Sequence, residues 1–278
     1  MTKTTAFVLA LMASAAVAST ANAAFVVSYE GEAPGVENTT ATFSVGGVET
    51  FDSQTPYAYP NSFTTTFGTS GTGGTINGTY TADTGNGVEV LPADQYGGAG
   101  GTGNYIVAFS GTPYSLSLTT DIPGGVNYFG YWLSALDKGN FVTFYGESGQ
   151  KLFTFNPQDV IDTINTHADP SQYYGNPNTV NYLHGQNSSE PYVFVNFFDK
   201  DGSFSKVSFS ENGGGGYESD NHTVGHYLTQ GQGTTVTLNN SVSGVPETST
   251  WAMMILGVGA IGAVLRRRRA PAASAATA

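Results

Sequence analysis

The sequence predicts an all-β fold, a β-sandwich between two apolar ends, and three observations predict it. Apolar residues alternate with small polar ones at period two, as in Tyr114, Leu116 and Leu118 and again in Val207 and Phe209. Short aromatic and β-branched runs, Phe141 to Tyr145 and Tyr192 to Phe198, are bounded by turn residues. Apart from one brief segment, no 3.6-residue periodicity runs through the interior of the chain.

Taken in order, residues 1–23 read as a signal peptide. Lys3 supplies the positive start, Ala6 to Val17 the apolar stretch, and Ala21-Asn22-Ala23 a small-x-small cleavage site, so the mature chain is expected to begin at Ala24. Residues 24–240 form the expected sandwich domain, long enough to bury a core, and 241–245 a linker. Residues 68–87 and 96–104 are rich in Gly and Thr with few apolar anchors, and read as long loops or edge strands. Asp121-Ile122-Pro123-Gly124-Gly125 and Gly139-Asn140 supply turns, and Asp199-Lys200-Asp201-Gly202 is expected to join two strands as a hairpin. One short helix is expected: Asn156 as N-cap, Pro157 at its first position, Asp159 in its first turn, and Val160, Ile161 and Ile164 along one side.

The charge of this interior is one-sided. Its only cations are Lys138, Lys151, Lys200 and Lys206, against twenty acids, a formal net charge of −16 from Ala24 to Gly244. Such a surface repels nucleic acid and acidic polysaccharide and attracts divalent cations, so nucleic-acid partners are disfavoured. There is no cysteine, which removes disulfides and thiol nucleophiles alike.

Several motifs match a pattern without its context. Gly98 to Gly103 satisfies G-x-G-x-x-G, but Asn104 to Phe109 after it reads as a strand, leaving no helix N-terminus for a phosphate. Asp199, Asp201 and Ser203 begin like an EF-hand loop, yet Gly202 falls at position four and Ser210 at position twelve. His222 and His226 are four apart without a neighbouring catalytic Glu, and Gly225 opposes the helix that would align them; they read as solvent-facing strand-end histidines. No G-x-S-x-G elbow occurs, and nothing beyond the abundance of acids supports a catalytic site.

The C-terminal end carries the most specific signal. Trp251 to Leu265 holds no charged side chain and would tolerate hydrocarbon as a helix, although fifteen residues rise only about 22 Å against the roughly 30 Å of a bilayer core. Arg266, Arg267, Arg268 and Arg269 form a basic stop that keeps residues 270–278 cytoplasmic and everything before Pro246 outside. A plain membrane anchor is the alternative. Val245-Pro246-Glu247-Thr248-Ser249-Thr250-Trp251-Ala252, the apolar run and the arginines together resemble the PEP-CTERM sorting signal in its Pro-Glu-Pro-x-x-Trp-Ala form, over 246–269. The resemblance implies an exported protein of a Gram-negative-type bacterium, held briefly in the membrane and processed by an exosortase that reads Pro246, Glu247, Trp251 and Ala252, then left at the cell surface or secreted. Thr248 departs from the usual second proline. The same block is also known as an ice-binding protein C-terminal domain.

Within the interior, Val27 to Gly31, Trp132 to Asp137 and Tyr217 to Asn221 resemble the jelly-roll passengers of such surface proteins, which are similar to carbohydrate-binding modules. That resemblance implies first and last strands lying side by side, with Glu30 and Asp220 sharing a structural Ca²⁺ with backbone carbonyls. The expected role is adhesive or structural and not enzymatic, with polysaccharide as the partner and Tyr57, Tyr59, Tyr173 and Tyr174 as exposed stacking residues. Two alternatives stand beside it: an extracellular glycan-active hydrolase, and ice binding through Thr64-Thr65-Thr66, Thr69 and Thr72, whose spacing in sequence is irregular.

Overall fold

The computed structural model describes residues 25–30, 35–68, 73–180, 182–213, 215–243 and 257. All of these except Gly257 belong to one compact unit, Asn22–Glu247. The signal-peptide residues Ala21 and Ala23, the sorting residues Pro246, Glu247, Trp251 and Ala252, and the four arginines lie outside the described residues, as do Thr69 and Thr72. Among the described residues no helix is long and apolar enough to cross a membrane.

Among the described residues fifteen strands form two antiparallel sheets. In chain order they are β1 Phe25–Tyr29, β2 Thr42–Glu49, β3 Ser62–Gly68, β4 Ile76–Ala82, β5 Glu89–Pro92, β6 Asn104–Phe109, β7 Tyr114–Thr120 and β8 Tyr128–Leu133. There follow β9 Asn140–Tyr145, β10 Lys151–Phe155, β11 Val193–Asp199, β12 Lys206–Glu211, β13 Gly216–Thr229, β14 Thr234–Thr235 and β15 Val242–Ser243. Sheet A runs β14-β1-β11-β8-β13-β6-β5, with β2 also on β13; sheet B runs β15-β10-β9-β12-β7-β4-β3. The expected all-β sandwich is the observed architecture.

The core lies between the sheets and is aromatic. Phe25 of sheet A stacks on Phe153 of sheet B at 4.8 Å, and Phe129 meets Phe209 and Phe144 edge-on at 5.7 and 6.1 Å. Such rings bury large apolar areas in preferred offset and edge geometries, which holds the sheets together without a disulfide.

Most expected elements are in place. Asn156 Oδ1 accepts from the Gln158 amide at 2.9 Å and caps α1, Gln158–Ile164, whose Val160 and Ile164 are buried in the core. Two expectations need correction. Asp199 to Gly202 does form a turn, with Asp199 Oδ1 accepting from the Gly202 amide at 3.0 Å, but β11 and β12 on either side belong to different sheets. It is an arch across the sandwich and not a hairpin. Residues 68–87 contain β4, an interior strand between β3 and β7, despite their Gly and Thr content. Gly78 explains the tolerance: a Cβ there would come within 2.6 Å of the Phe67 ring and 2.8 Å of Leu116.

Strand β13 sits at the centre of sheet A, against β8 on one side and β6 then β2 on the other. Its pairing with β8 slips by one residue between Asp220 and Thr223, where Asn221 takes φ 49°. This β-bulge exchanges the faces. Tyr217 and Ser219 turn inward before it, His222 and Val224 after it, and Glu218 and Asp220 are left on the outer face.

Candidate functional site

Over β8 and β11 the outer face of sheet A is covered, and every residue of these two strands is buried. Trp132, Phe194, Ala135 and Tyr192 make a second apolar cluster there, with Ala99 packed against it, beneath loops 93–103 and 134–139 and the described residues of 174–191. Polar side chains fasten these loops. Tyr192 Oη donates to the Gln95 carbonyl at 2.7 Å, Asn178 Nδ2 to the Gly98 carbonyl at 2.9 Å, and the Ala99 amide to Asp220 Oδ2 at 2.8 Å. The G-x-G-x-x-G stretch is part of this cover: a 3-10 turn at Ala99–Gly101 leads straight into β6, as its strand-like continuation implies.

Beside that cover lies a cleft of about 470 Å³. Its floor comes from β5, β6 and β13: Leu91, Tyr105, Phe109, Gly216 and Glu218. The pairing of Gly216 with Phe109 matters, because a Cβ on Gly216 would meet the Glu218 carboxyl at 1.9 Å and the Phe109 ring at 3.2 Å. Only glycine lets both side chains occupy the floor. Ala135 holds φ 46° in the wall, a left-handed conformation that costs a non-glycine residue roughly 1 to 2 kcal/mol. The remaining walls carry Asp94, Tyr96, Asp137 and Glu190.

The electrostatics of the cleft are unusual. Among the described residues four carboxyl groups line it and no Lys, Arg or His does. Glu218 is only 7% exposed, and burial together with Glu190, Asp94 and Asp137 pushes its pKa up to about 8. Asp220, on the same face two residues on, is also pushed up to about 8, first by burial and then by Asp52 and Glu37. Asp94 is already engaged, accepting at Oδ1 from the Tyr96 amide at 2.8 Å and from Tyr105 Oη at 3.2 Å. Tyr96 and Phe109 expose 41% and 37% of their surface at the rim.

The structure separates Glu30 from Asp220. Glu30 continues β1 opposite Phe194, Phe194 pairs with Trp132, and Trp132 with Asp220, which puts them three strands apart, about 14 Å at sheet spacing. Each is satisfied by protein donors instead: Glu30 Oε1 accepts from the Thr40 amide and Asn196 Nδ2 at 3.0 and 3.1 Å, and Asp220 from Ala99 and Asn221. One ion cannot bridge them. Strand β1 does lie beside a late strand, but that strand is β14. Among the described residues no group of three or more His, Asp or Glu side chains is placed to hold a metal ion.

The histidines also differ from expectation. His222 is fully buried in mid-strand, not at a solvent-facing strand end, with Tyr80 Oη 3.0 Å from Nδ1 and Ser219 Oγ 2.9 Å from Nε2. Rings of Phe51, Phe129 and Phe209 surround it, and burial lowers its pKa to about 3. It is a neutral core histidine. His226 lies further along the same strand, its Nδ1 at 2.7 Å from the Gly125 carbonyl oxygen.

Of the tyrosines expected to be exposed, Tyr57 and Tyr59 are, at 60% and 45%. Tyr173 is buried against Tyr29 and His167, and Tyr174 is half-buried, its Oη donating to Asn165 Oδ1 at 3.1 Å. Sequence reading did not single out the cleft residues. One signal was present: Glu218 and Asp220 occupy alternate positions of an otherwise buried strand, which places two acids on one covered face.

No protein-family model matches the chain, and no curated protein matches it. Among solved structures, the K2 cleaved adhesin domain of Lys-gingipain is similar at a TM-score of 0.32 and 15% identity, over 70% of this chain and 99% of that one. A likeness of that size carries no argument about fold or function.

Proposed function

We propose that this chain is an exported, tail-sorted surface protein whose sandwich is adhesive and binds carbohydrate in the cleft on sheet A. The observation that carries the ligand reading is the cleft itself: exposed Tyr96 and Phe109 offer apolar faces for sugar rings, and Asp94, Asp137 and Glu190 offer acceptors for hydroxyls. Delivery rests on the sequence alone, on the leader and on Pro246, Glu247, Trp251, Ala252 and the arginine block as an exosortase signal.

A glycan array probed with the full chain and with Phe109→Ala tests the ligand reading. Reversible binding by the parent, weakened about tenfold by loss of one stacking ring, is the expected result. Absence of binding to any glycan would overturn it, and release of sugar would replace adhesion with hydrolysis. Intact mass of the protein recovered from cells and medium tests delivery. A C-terminus near Pro246 is expected, and a cytosolic product with both ends retained would refute export.

A further inference from the structure

We propose that Asp137, Asn140 and Glu211 hold a calcium ion at one end of the sandwich, where the connection from β8 to β9 meets the end of β12. This site is separate from the pair Glu30 and Asp220 and does not depend on the carbohydrate reading. Asn140 carries the inference. It is fully buried, and neither its Oδ1 nor its Nδ2 has a hydrogen-bond partner among the described residues. A buried amide in that condition is costly, and it calls for a ligand that engages it.

The sheet aims this amide at a carboxylate. Asn140 opens β9 directly opposite Glu211, the last residue of β12. In the next pair along, the Asn212 amide donates to the Gly139 carbonyl at 2.9 Å. Bonded and unbonded pairs alternate in an antiparallel ladder, so Asn140 and Glu211 form the unbonded kind, with Cα atoms only about 4.5 Å apart and side chains closest. Both stand in the inward row that continues with Val142 and Phe144 on β9 and Phe209 and Val207 on β12.

Asp137 joins them through Gly139. That glycine turns its N–H to Asp137 Oδ1 at 2.5 Å instead of back to Asn212, which leaves the Asn212 carbonyl out of the exchange. The position of a Cβ on Gly139 lies 3.0 Å from Asp137 Oδ1, 3.1 Å from Glu211 Oε1 and 3.2 Å from the Asn212 carbonyl oxygen. Three oxygens from two stretches of chain thus face one point, which only glycine leaves clear.

Two carboxylates directed at one point repel each other, and a cation offsets that repulsion where a neutral water does not. The donors are all oxygens, of carboxylate, amide and carbonyl type. Calcium accepts roughly six to eight such oxygens in flexible geometry, with waters completing the set, whereas magnesium demands a strict octahedron and zinc favours nitrogen and sulfur. Asp137 and Gly215 also line the cleft, which gives the ion a path from solvent.

The test is thermal melting of the full chain, first in chelator and then in 10 mM calcium, with calorimetric titration of the same samples. At a Kd of about 0.1 mM the melting temperature is expected to rise by about 5 to 10 °C. Magnesium at the same concentration is expected to give less than half that shift, and an equal shift would overturn calcium selectivity. Asp137→Asn is expected to abolish most of the response, while Glu147→Gln, on an exposed turn, keeps it. Asn140→Asp separates a ligand from a structural amide: it is expected to melt lower than the parent in chelator and to gain more from calcium, because it adds a third carboxylate. Destabilisation of Asn140→Asp by the same amount with and without calcium would overturn the role of this residue. A full response in Asp137→Asn would place the ion elsewhere on this acidic protein, and a parent with neither a melting shift nor binding heat would end the inference.

Discussion

The outer faces of the two sheets obey different rules. On sheet B hydrogen-bonded register carries one row of hydroxyls across six strands: Ser62, Thr81, Ser115, Ser208, Thr143 and Thr154. A second row begins Thr64, Thr79, Ser117. Its strands alternate buried and half-buried positions, as in β12 and β9. On sheet A the strands β8 and β11 are buried at every position, because loops cover the outer face as the core covers the inner one. Alternation marks a sheet with one dry face; a continuous apolar run marks a sheet with two. The cleft with its buried acids belongs to the second kind.

The largest expected effect breaks the cover from the core side. Trp132 is fully buried on the outer face of β8, 5.7 Å from the Tyr192 ring. Trp132→Ala is expected to cost about 3 to 5 kcal/mol in urea denaturation, as much as a truncation between the sheets. A cost under 1 kcal/mol would show that the loops are a loose flap and not a second core.

The acids give the face a pH signature. Glu218 and Asp220 release protons near 4.5 and 3.8 in the unfolded chain but near 8 in the fold, so the native state holds more protons between those values. Stability from this source is full at low pH and is lost as pH rises toward 8. His222 acts in the other direction: its folded pKa is lowered, so its contribution is complete above 6.5 and is lost as pH falls toward 3. Above pH 6.5 only the acids act, and stability is expected to drop by about 2 to 3 kcal/mol between pH 6.5 and 8. Denaturation at the two pH values measures it, and Glu218→Gln with Asp220→Asn should flatten the profile.

These same residues mark where the sequence stopped being readable. Period two located β7 and β12, short aromatic and β-branched runs located β9 and β11, and the Asn156-Pro157 signal located α1, because each is decided within a few residues. The bulge at Asn221 was not legible: inward positions run Tyr217, Ser219, then His222, Val224, and no local rule announces the slip. Without the slip, His222 reads as a solvent-facing histidine. Asp199 to Gly202 was readable as a turn, but which sheets it joins is set by pairing partners far away in sequence. The cleft combines five separate stretches of chain, from Leu91 to Glu218, and its acids acquire meaning only through that convergence.

A middle-sized effect concerns the exit from the domain. Asp159 on α1 accepts five hydrogen bonds of 2.6 to 3.0 Å from Asn239, Asn240 and Ser241, just before β15 joins the edge of sheet B at β10. Burial would raise its pKa, but the donors from Ser241, Asn240 and Asn239 outweigh it and lower it. Asp159→Ala is expected to cost about 2 kcal/mol, with hydrogen-exchange protection lost at 239–243 and kept in β8. Loss of protection throughout would mean that the clamp supports the sandwich as a whole.

The smallest effect is expected on the hydroxyl rows, and it sharpens the contrast most. Strands lie about 4.8 Å apart and side chains on one face about 6.7 Å apart, which resembles a lattice on paper. A sheet twists by about 20 to 25° per strand, so six strands turn the row through roughly 100° and no flat array results. Thr64 and Thr66 do stand on this face, at exposed positions of β3, but as part of a curved surface. Full-length protein is accordingly expected to show no thermal hysteresis, and Thr79→Ala to change stability by less than about 0.5 kcal/mol. A hysteresis gap that Thr79→Ala abolished would make sheet B the binding face, and would reverse the assignment of function between the two sheets.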